Sequence, residues 1–244
     1  MKKWIRKMGI LVFSIIFTCS AALLFIMECS NGGNVKQYKK DLGEESAPGE
    51  LVENPIDWEK LKGKDVYAWI NVPGTQIDYP VAAAPDDKEE DYYLHRNLKG
   101  HYDFAGMIYS RRANSRDFSN PVTVLYGHNM RNGSMFGTLK RFENKEFFGQ
   151  HKSIYIYMPG KIYTYQIVSA SQSDNRDLLS RYDYQNPDGM TAYVNEILMP
   201  ESRNVRSGIS IDASSRFLIL STCVTGSTKR RLVQAVLQKM EDTK

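Results

Sequence analysis

Ser153-Ile-Tyr-Ile-Tyr-Met-Pro-Gly-Lys-Ile-Tyr-Thr-Tyr-Gln-Ile167 is the stretch that decides the fold. Its β-branched and aromatic residues alternate with period two on both sides of Met158-Pro-Gly-Lys161, as in two strands with differing faces joined by a turn. Outward from this hairpin the same pattern recurs. Short β-branched and aromatic runs are predicted at 77–82, 106–110, 122–126 and 217–222, with a further strand at 231–237, separated by Gly, Pro and Asn turns. Two stretches, 134–148 and 187–199, carry helical spacing instead. Asp57 is placed as the cap of a short helix, and residues 65–69 are read as a second helical turn. Many short strands with few helices predict a mainly β fold, a barrel or sandwich with helical insertions.

Composition narrows the class. Of 244 residues, 42% are hydrophobic and 25% charged, near the globular average, which excludes a mainly disordered or collagen-like chain. Three Cys exclude a disulfide-dense scaffold. The net charge is +4, but Lys2, Lys3, Arg6 and Lys7 against Glu28 place +3 of it in residues 1–30. The near-neutral remainder lacks a nucleic-acid binder's electrostatic footprint. Residues 9–27 contain no charge and are long enough to span a bilayer. The cations before them predict a cytoplasmic tail (1–8), a signal-anchor (9–27), a polar linker (28–55) and an extracytoplasmic domain (56–244). Phe25-Ile26-Met27-Glu28 makes a poor cleavage site, which disfavours a removed signal peptide.

Cys223 ends the apolar run Phe217-Leu-Ile-Leu-Ser-Thr-Cys223, and His128 ends Val122-Thr-Val-Leu-Tyr-Gly-His128. Arg231 begins the next candidate strand, whose antiparallel return brings it back beside Cys223. A thiol, an imidazole and a fixed cation suffice for acyl transfer: nucleophile, proton carrier and oxyanion partner. Each residue also has a plainer reading, as a small buried hydrophobe, a turn residue and a solvated charge. His95, His101 and His151 are read as surface or structural residues, and the acidic run 86–91 as a solvated loop. No cluster has zinc-ligand spacing and there is no nucleotide-binding glycine loop, so no metal or cofactor is expected. Sequence gives Arg111 and Arg112 no role.

Six segments together resemble class B sortases, the membrane-anchored cysteine transpeptidases of Gram-positive bacteria. They are Asp65-Val-Tyr-Ala-Trp-Ile-Asn-Val-Pro-Gly-Thr75 with Ile77-Asp-Tyr-Pro-Val81, Tyr92-Tyr-Leu-His-Arg-Asn97, Leu125-Tyr-Gly-His-Asn-Met130, Met135-Phe-Gly-Thr-Leu139, Leu220-Ser-Thr-Cys223 and Arg231-Leu-Val233. The resemblance implies an eight-stranded β-barrel with N-terminal helices and a helix between strands six and seven, placed at 187–199. It implies catalysis by His128, Cys223 and Arg231, and a substrate groove drawing on Leu94, Tyr182, Ser221 and Thr222. Cys223 is expected to cleave a C-terminal sorting signal of a secreted protein at Thr and form a thioacyl enzyme. An amine of peptidoglycan or its lipid-linked precursor then takes the acyl group. Arg231 is preferred to Arg230 because Arg231-Leu-Val233 matches the family's Arg-x-Val. Val224 stands where some relatives carry an acidic residue. The alternatives are a thiol peptidase or amidase with water as acceptor, and a non-catalytic tethered β domain.

Overall fold

The alternating stretch forms the hairpin it predicts. Ser153–Met158 and Lys161–Ser173 pair antiparallel, from Met158 opposite Lys161 to Ser153 opposite Gln166. Pro159 supplies a fixed φ at the turn and Gly160 a φ of +75°, in the left-handed region that favours glycine. The computed structural model describes residues 51–198, 204–212 and 214–244. The predicted tail, signal-anchor and nearly all of the linker lie outside the described residues. No helix among the described residues is long and apolar enough to cross a membrane.

In chain order the strands are β1 (Val66–Asn71), β2 (Asp78–Ala83), β3 (Ile108–Ser110), β4 (Val122–Tyr126), β5 (Ser153–Met158), β6 (Lys161–Ser173), β7 (Asn204–Val205), β8 (Phe217–Cys223) and β9 (Arg230–Asp242). Their order around the sheet is β5-β1-β2-β3-β4-β8-β9-β6, and β6 pairs with β5 again. The sheet therefore closes as an eight-stranded barrel, with the two-residue β7 appended to β6. Closure leaves the barrel strands no free edge. β2–β3 and β4–β8 are parallel, and the other barrel pairs antiparallel.

Two cores sit on the two faces. The interior holds Ile70, Ile108, Leu125, Phe136, Ile156, Leu218, Leu220 and Val233. The outer face of β4, β8 and β9 buries Val122, Val124, Ile219 and Leu232 against Tyr193, Ile197 and Leu198. These last three lie on α3 (Pro187–Tyr193) and its π-helical continuation Val194–Leu198, between barrel strands six and seven. Asn186 caps α3 by accepting from Asp188 N. The other stretch with helical spacing becomes a 3-10 segment, Gly137–Glu143, followed by α1, Lys145–Gln150.

The helical turn predicted at 65–69 is wrong. Val66–Asn71 is strand β1, held between β2 and β5, and pairing on both sides overrides weak local propensity. Trp58–Leu61 is a 3-10 turn, but Asp57 makes no capping hydrogen bond and pairs with Lys60 at 2.7 Å. β6 and β9 each run past their apolar cores, because Ser171, Gln172 and Ser173 pair with Leu232, Arg231 and Arg230. The ladder thus keeps polar residues extended beyond the apolar alternation.

Candidate active site

β8 is buried along its whole length until Cys223, its last residue, which is exposed and free. Two neighbours fix that end. β4 runs parallel to β8 in the register Tyr126 opposite Ser221. Continued by two residues, that register brings His128 level with Cys223. Adjacent strands lie about 4.8 Å apart. Hydrogen bonds carry the alignment past the end of the strand. Gly127 N donates to Ser221 O at 3.3 Å, and Thr222 Oγ1 donates to Gly127 O at 2.7 Å. Asn129 Nδ2 donates to Cys223 O at 3.0 Å and to Thr225 Oγ1 at 3.2 Å. His128 therefore sits between two residues that are each tied to the thiol strand.

The antiparallel partner on the other side is β9, in the register Thr222 opposite Arg231 and Cys223 opposite Arg230. Residues directly opposite share a face. Arg230 accordingly stands over the thiol, with Nη1 donating to Cys223 Sγ at 3.0 Å. Arg231 points to the other face. It is buried, and its Nε pairs with Glu143 Oε1 at 2.9 Å. This corrects the expectation that Arg231 is the cation beside Cys223. Adjacent strand residues face opposite ways, and only the β8–β9 register tells which of the two arginines faces the thiol.

His128 Nε2 donates to Leu94 O at 2.9 Å. A bond to a carbonyl requires the proton on Nε2, which leaves the Nδ1 lone pair as the basic site of the neutral ring. The thiol and the imidazole are not hydrogen-bonded to each other; each has its own partner. Burial lowers the His128 pKa below the ordinary histidine value, with help from His95 and Arg230 and against the Leu94 hydrogen bond. The ring is therefore neutral near pH 7. The sign for stability follows. Between the depressed folded pKa and the unfolded value near 6.5, the unfolded chain takes up a proton that the folded chain refuses, so acidification through that window favours unfolding. We expect the His128 Cε1–H resonance to titrate with a midpoint below that of an unperturbed histidine. A midpoint at or above the ordinary value contradicts this electrostatic picture.

The other expected site residues separate. Leu94 does join the site, through its backbone carbonyl. Ser221 and Thr222 are buried, at 3% and 0% exposure. Thr222 spends its hydroxyl on Gly127 O, so neither side chain lines an open groove. They strap β8 to the His128 segment. Tyr182 follows the short helix α2 (Leu178–Arg181). Its hydroxyl donates to Glu196 Oε2 at 2.8 Å, and burial with that carboxylate pushes its pKa up to about 12.

Sequence reading missed three positions. His95, read as surface or structural, packs its ring 4.8 Å from that of His128. Asn129 lay within a quoted motif but had no assigned role. Arg111 joins Asp91 and Asp177, at 3.1 and 3.2 Å, and lies over the Tyr126 ring. Asp177 also caps α2 by accepting from Leu179 N. Arg111 thus ties the outer helical layer to β4 just before His128. Arg112 pairs with Glu90 at 3.3 Å. The acidic run is therefore partly structural rather than simply solvated. Among the described residues no group of three His, Cys, Asp or Glu side chains could hold a metal ion.

This constellation can carry out thiol acyl transfer. It offers an exposed thiol at a rigid strand end, a neutral imidazole level with it, and a guanidinium already at the sulfur. Residues 70–238 match the family model described as Sortase domain. The chain is 29% identical to sortase B of Listeria monocytogenes over 189 residues, 77% of this chain and 74% of the relative. Among solved structures, Clostridium perfringens sortase B is similar with a TM-score of 0.64 and 33% identity, covering 75% of this chain and 98% of that one. The Staphylococcus aureus sortase B–substrate complex is similar with a TM-score of 0.65 and 27% identity, covering 74% of this chain and 82% of that one.

Proposed function

The chain belongs to the sortase family, beside its class B members, and from that premise we propose that Cys223, His128 and Arg230 carry a transpeptidation in two acyl transfers. The enzyme is a sortase-type cysteine transpeptidase. The contact that supports these roles best is Arg230 Nη1 on Cys223 Sγ at 3.0 Å. In the first transfer the thiol proton passes to His128, and sulfur attacks the Thr carbonyl of a sorting signal. Arg230 lies beside the oxyanion that forms. The C–N bond breaks, and His128 returns the proton to the leaving amine. In the second, an amine of peptidoglycan or its lipid-linked precursor attacks the thioester. C–N forms, C–S breaks, and the proton travels through His128 to the sulfur. The substrate is a secreted protein with a C-terminal sorting signal. The setting is the outer face of the membrane, with residues 9–27 as anchor.

Intact-mass measurement on the full-length protein with a panel of Thr-containing sorting-signal pentapeptides tests this. We expect an adduct on Cys223 that an added amine releases, and none in Cys223→Ala. No adduct from any peptide, or an adduct that persists in Cys223→Ala, defeats the assignment.

A further inference from the structure

The described residues leave four large apolar side chains exposed: Leu51, Tyr102, Phe104 and Met240. Two of the four stand together at the candidate site. Phe104 is 62% exposed, and its ring is stacked with that of His128, centroids 5.8 Å apart and planes within 8°. Tyr102 is 75% exposed and stacks on His95 at 6.2 Å, while His95 packs on His128. Neither Tyr102 nor Phe104 belongs to a core cluster. Paired aromatic rings left in water beside a reactive imidazole mark a binding surface rather than a packing need.

The loop that presents them is pinned. Asp103 N donates to His95 O at 3.0 Å, Gly106 N to Asp103 O at 3.1 Å, and Ala105 N to Asp103 Oδ1 at 2.9 Å. Arg96 and Tyr102 form a β-bridge. Gly106 has φ +58°, and a Cβ there would come within 2.2 Å of Leu94 O, the carbonyl that accepts from His128. The rings are thus held in place before any ligand arrives, which lowers the ordering cost of binding.

Position and chemistry together identify the occupant. β4 lies between β3 and β8. The 3-10 turn Tyr92–His95, which supplies Leu94 O and the His95 ring, packs on β3. The aromatic rings therefore flank His128 from the β3 side, and the thiol lies on its β8 side. Whatever His128 deprotonates for attack on an acyl group at Cys223 must reach that ring. Aromatic faces attract ammonium groups and pack against methylene stems, and a neutral His128 does not repel a cation.

We propose that Tyr102 and Phe104 form the acceptor platform of the transfer reaction, binding an incoming primary amine by its ammonium group and aliphatic stem beside His128. This rests on the acyl-transfer reading above. The ammonium loses one proton to solvent and becomes the nucleophile. C–N forms, C–S breaks, and a second proton moves through His128 to the sulfur.

The test is the partition of one thioacyl enzyme between amine and water. The full-length protein is acylated with the pentapeptide of the panel that labels Cys223 best. The ratio of aminolysis to hydrolysis is then read against Nα-acetyl-lysinamide and against glycinamide, which has no aliphatic stem. In Tyr102→Ala/Phe104→Ala we expect the ratio for Nα-acetyl-lysinamide to fall about tenfold, from two ring contacts each contributing a factor of about two to five. The ratio for glycinamide should fall less, and Tyr102→Phe should retain the parent preference. A purely structural loss would slow both branches together and leave the ratio unmoved. A ratio within twofold of the parent for both amines overturns the platform while leaving Cys223 acylation standing. Failure of the parent to form any adduct removes the transfer reading and the platform with it.

Discussion

Arg230→Ala loses about 10²–10³ in the rate of Cys223 acylation, the cost of removing one oxyanion donor, while Arg231→Ala keeps that rate in the molecules that remain folded. The physical ground is the β8–β9 register. Cys223 opposes Arg230 and Thr222 opposes Arg231, and only Arg230 reaches the sulfur. Arg230→Lys tests the geometry further. It keeps the charge but loses the rigid fork of donors, so its rate should fall between those of the parent and Arg230→Ala. The measurement is the time course of adduct formation by intact mass, with far-ultraviolet circular dichroism as the check on folding. Loss of acylation in Arg231→Ala with full activity in Arg230→Ala reverses the assignment.

Glu143→Ala destabilises the barrel by about 2–3 kcal/mol, with little effect on chemistry in the folded fraction. Arg231 is only 9% exposed at its side chain, and among the described residues its carboxylate partner is Glu143, at 2.9 Å. Arg231 Nη1 is buried with no hydrogen-bond partner among the described residues. Removing one member of a buried pair costs about 3–5 kcal/mol because the other charge is left uncompensated. The figure here is lower because Glu143 is 41% exposed, so water already screens the pair. For a domain of this size the melting temperature should drop by about 5–10 °C. Glu143→Gln, which keeps a hydrogen-bond acceptor without the charge, should lose less. A drop below about 2 °C in Glu143→Ala would show that the pair contributes little.

Much of the barrel is legible along the chain. The alternation on either side of Pro159-Gly160 gives β5 and β6, and the apolar runs ending at Tyr126 and Cys223 give β4 and β8. Those signals are local, and burial on one or both faces writes them into residue type. β1 was misread because Val66–Asn71 owes its extended form to β2 and β5, its partners in space. The polar ends of β6 and β9 were missed for the same reason: the ladder, and not side-chain burial, keeps them extended.

By itself the sequence determined the reactive residue types, their delivery by Cys223 and His128 at the ends of buried strands, and the family that the motifs resemble. Only the tertiary structure decided which arginine meets the thiol. Adjacent strand residues face opposite ways, and a turn between strands does not state its register in residue type. Only the tertiary structure, likewise, brought Leu94 O to His128, Asn129 to the Cys223 carbonyl and Glu143 to Arg231, three contacts spanning 34, 94 and 88 positions of chain. Such contacts leave no periodic trace in a sequence, because they depend on where closure of the barrel places segments that are unrelated along the chain.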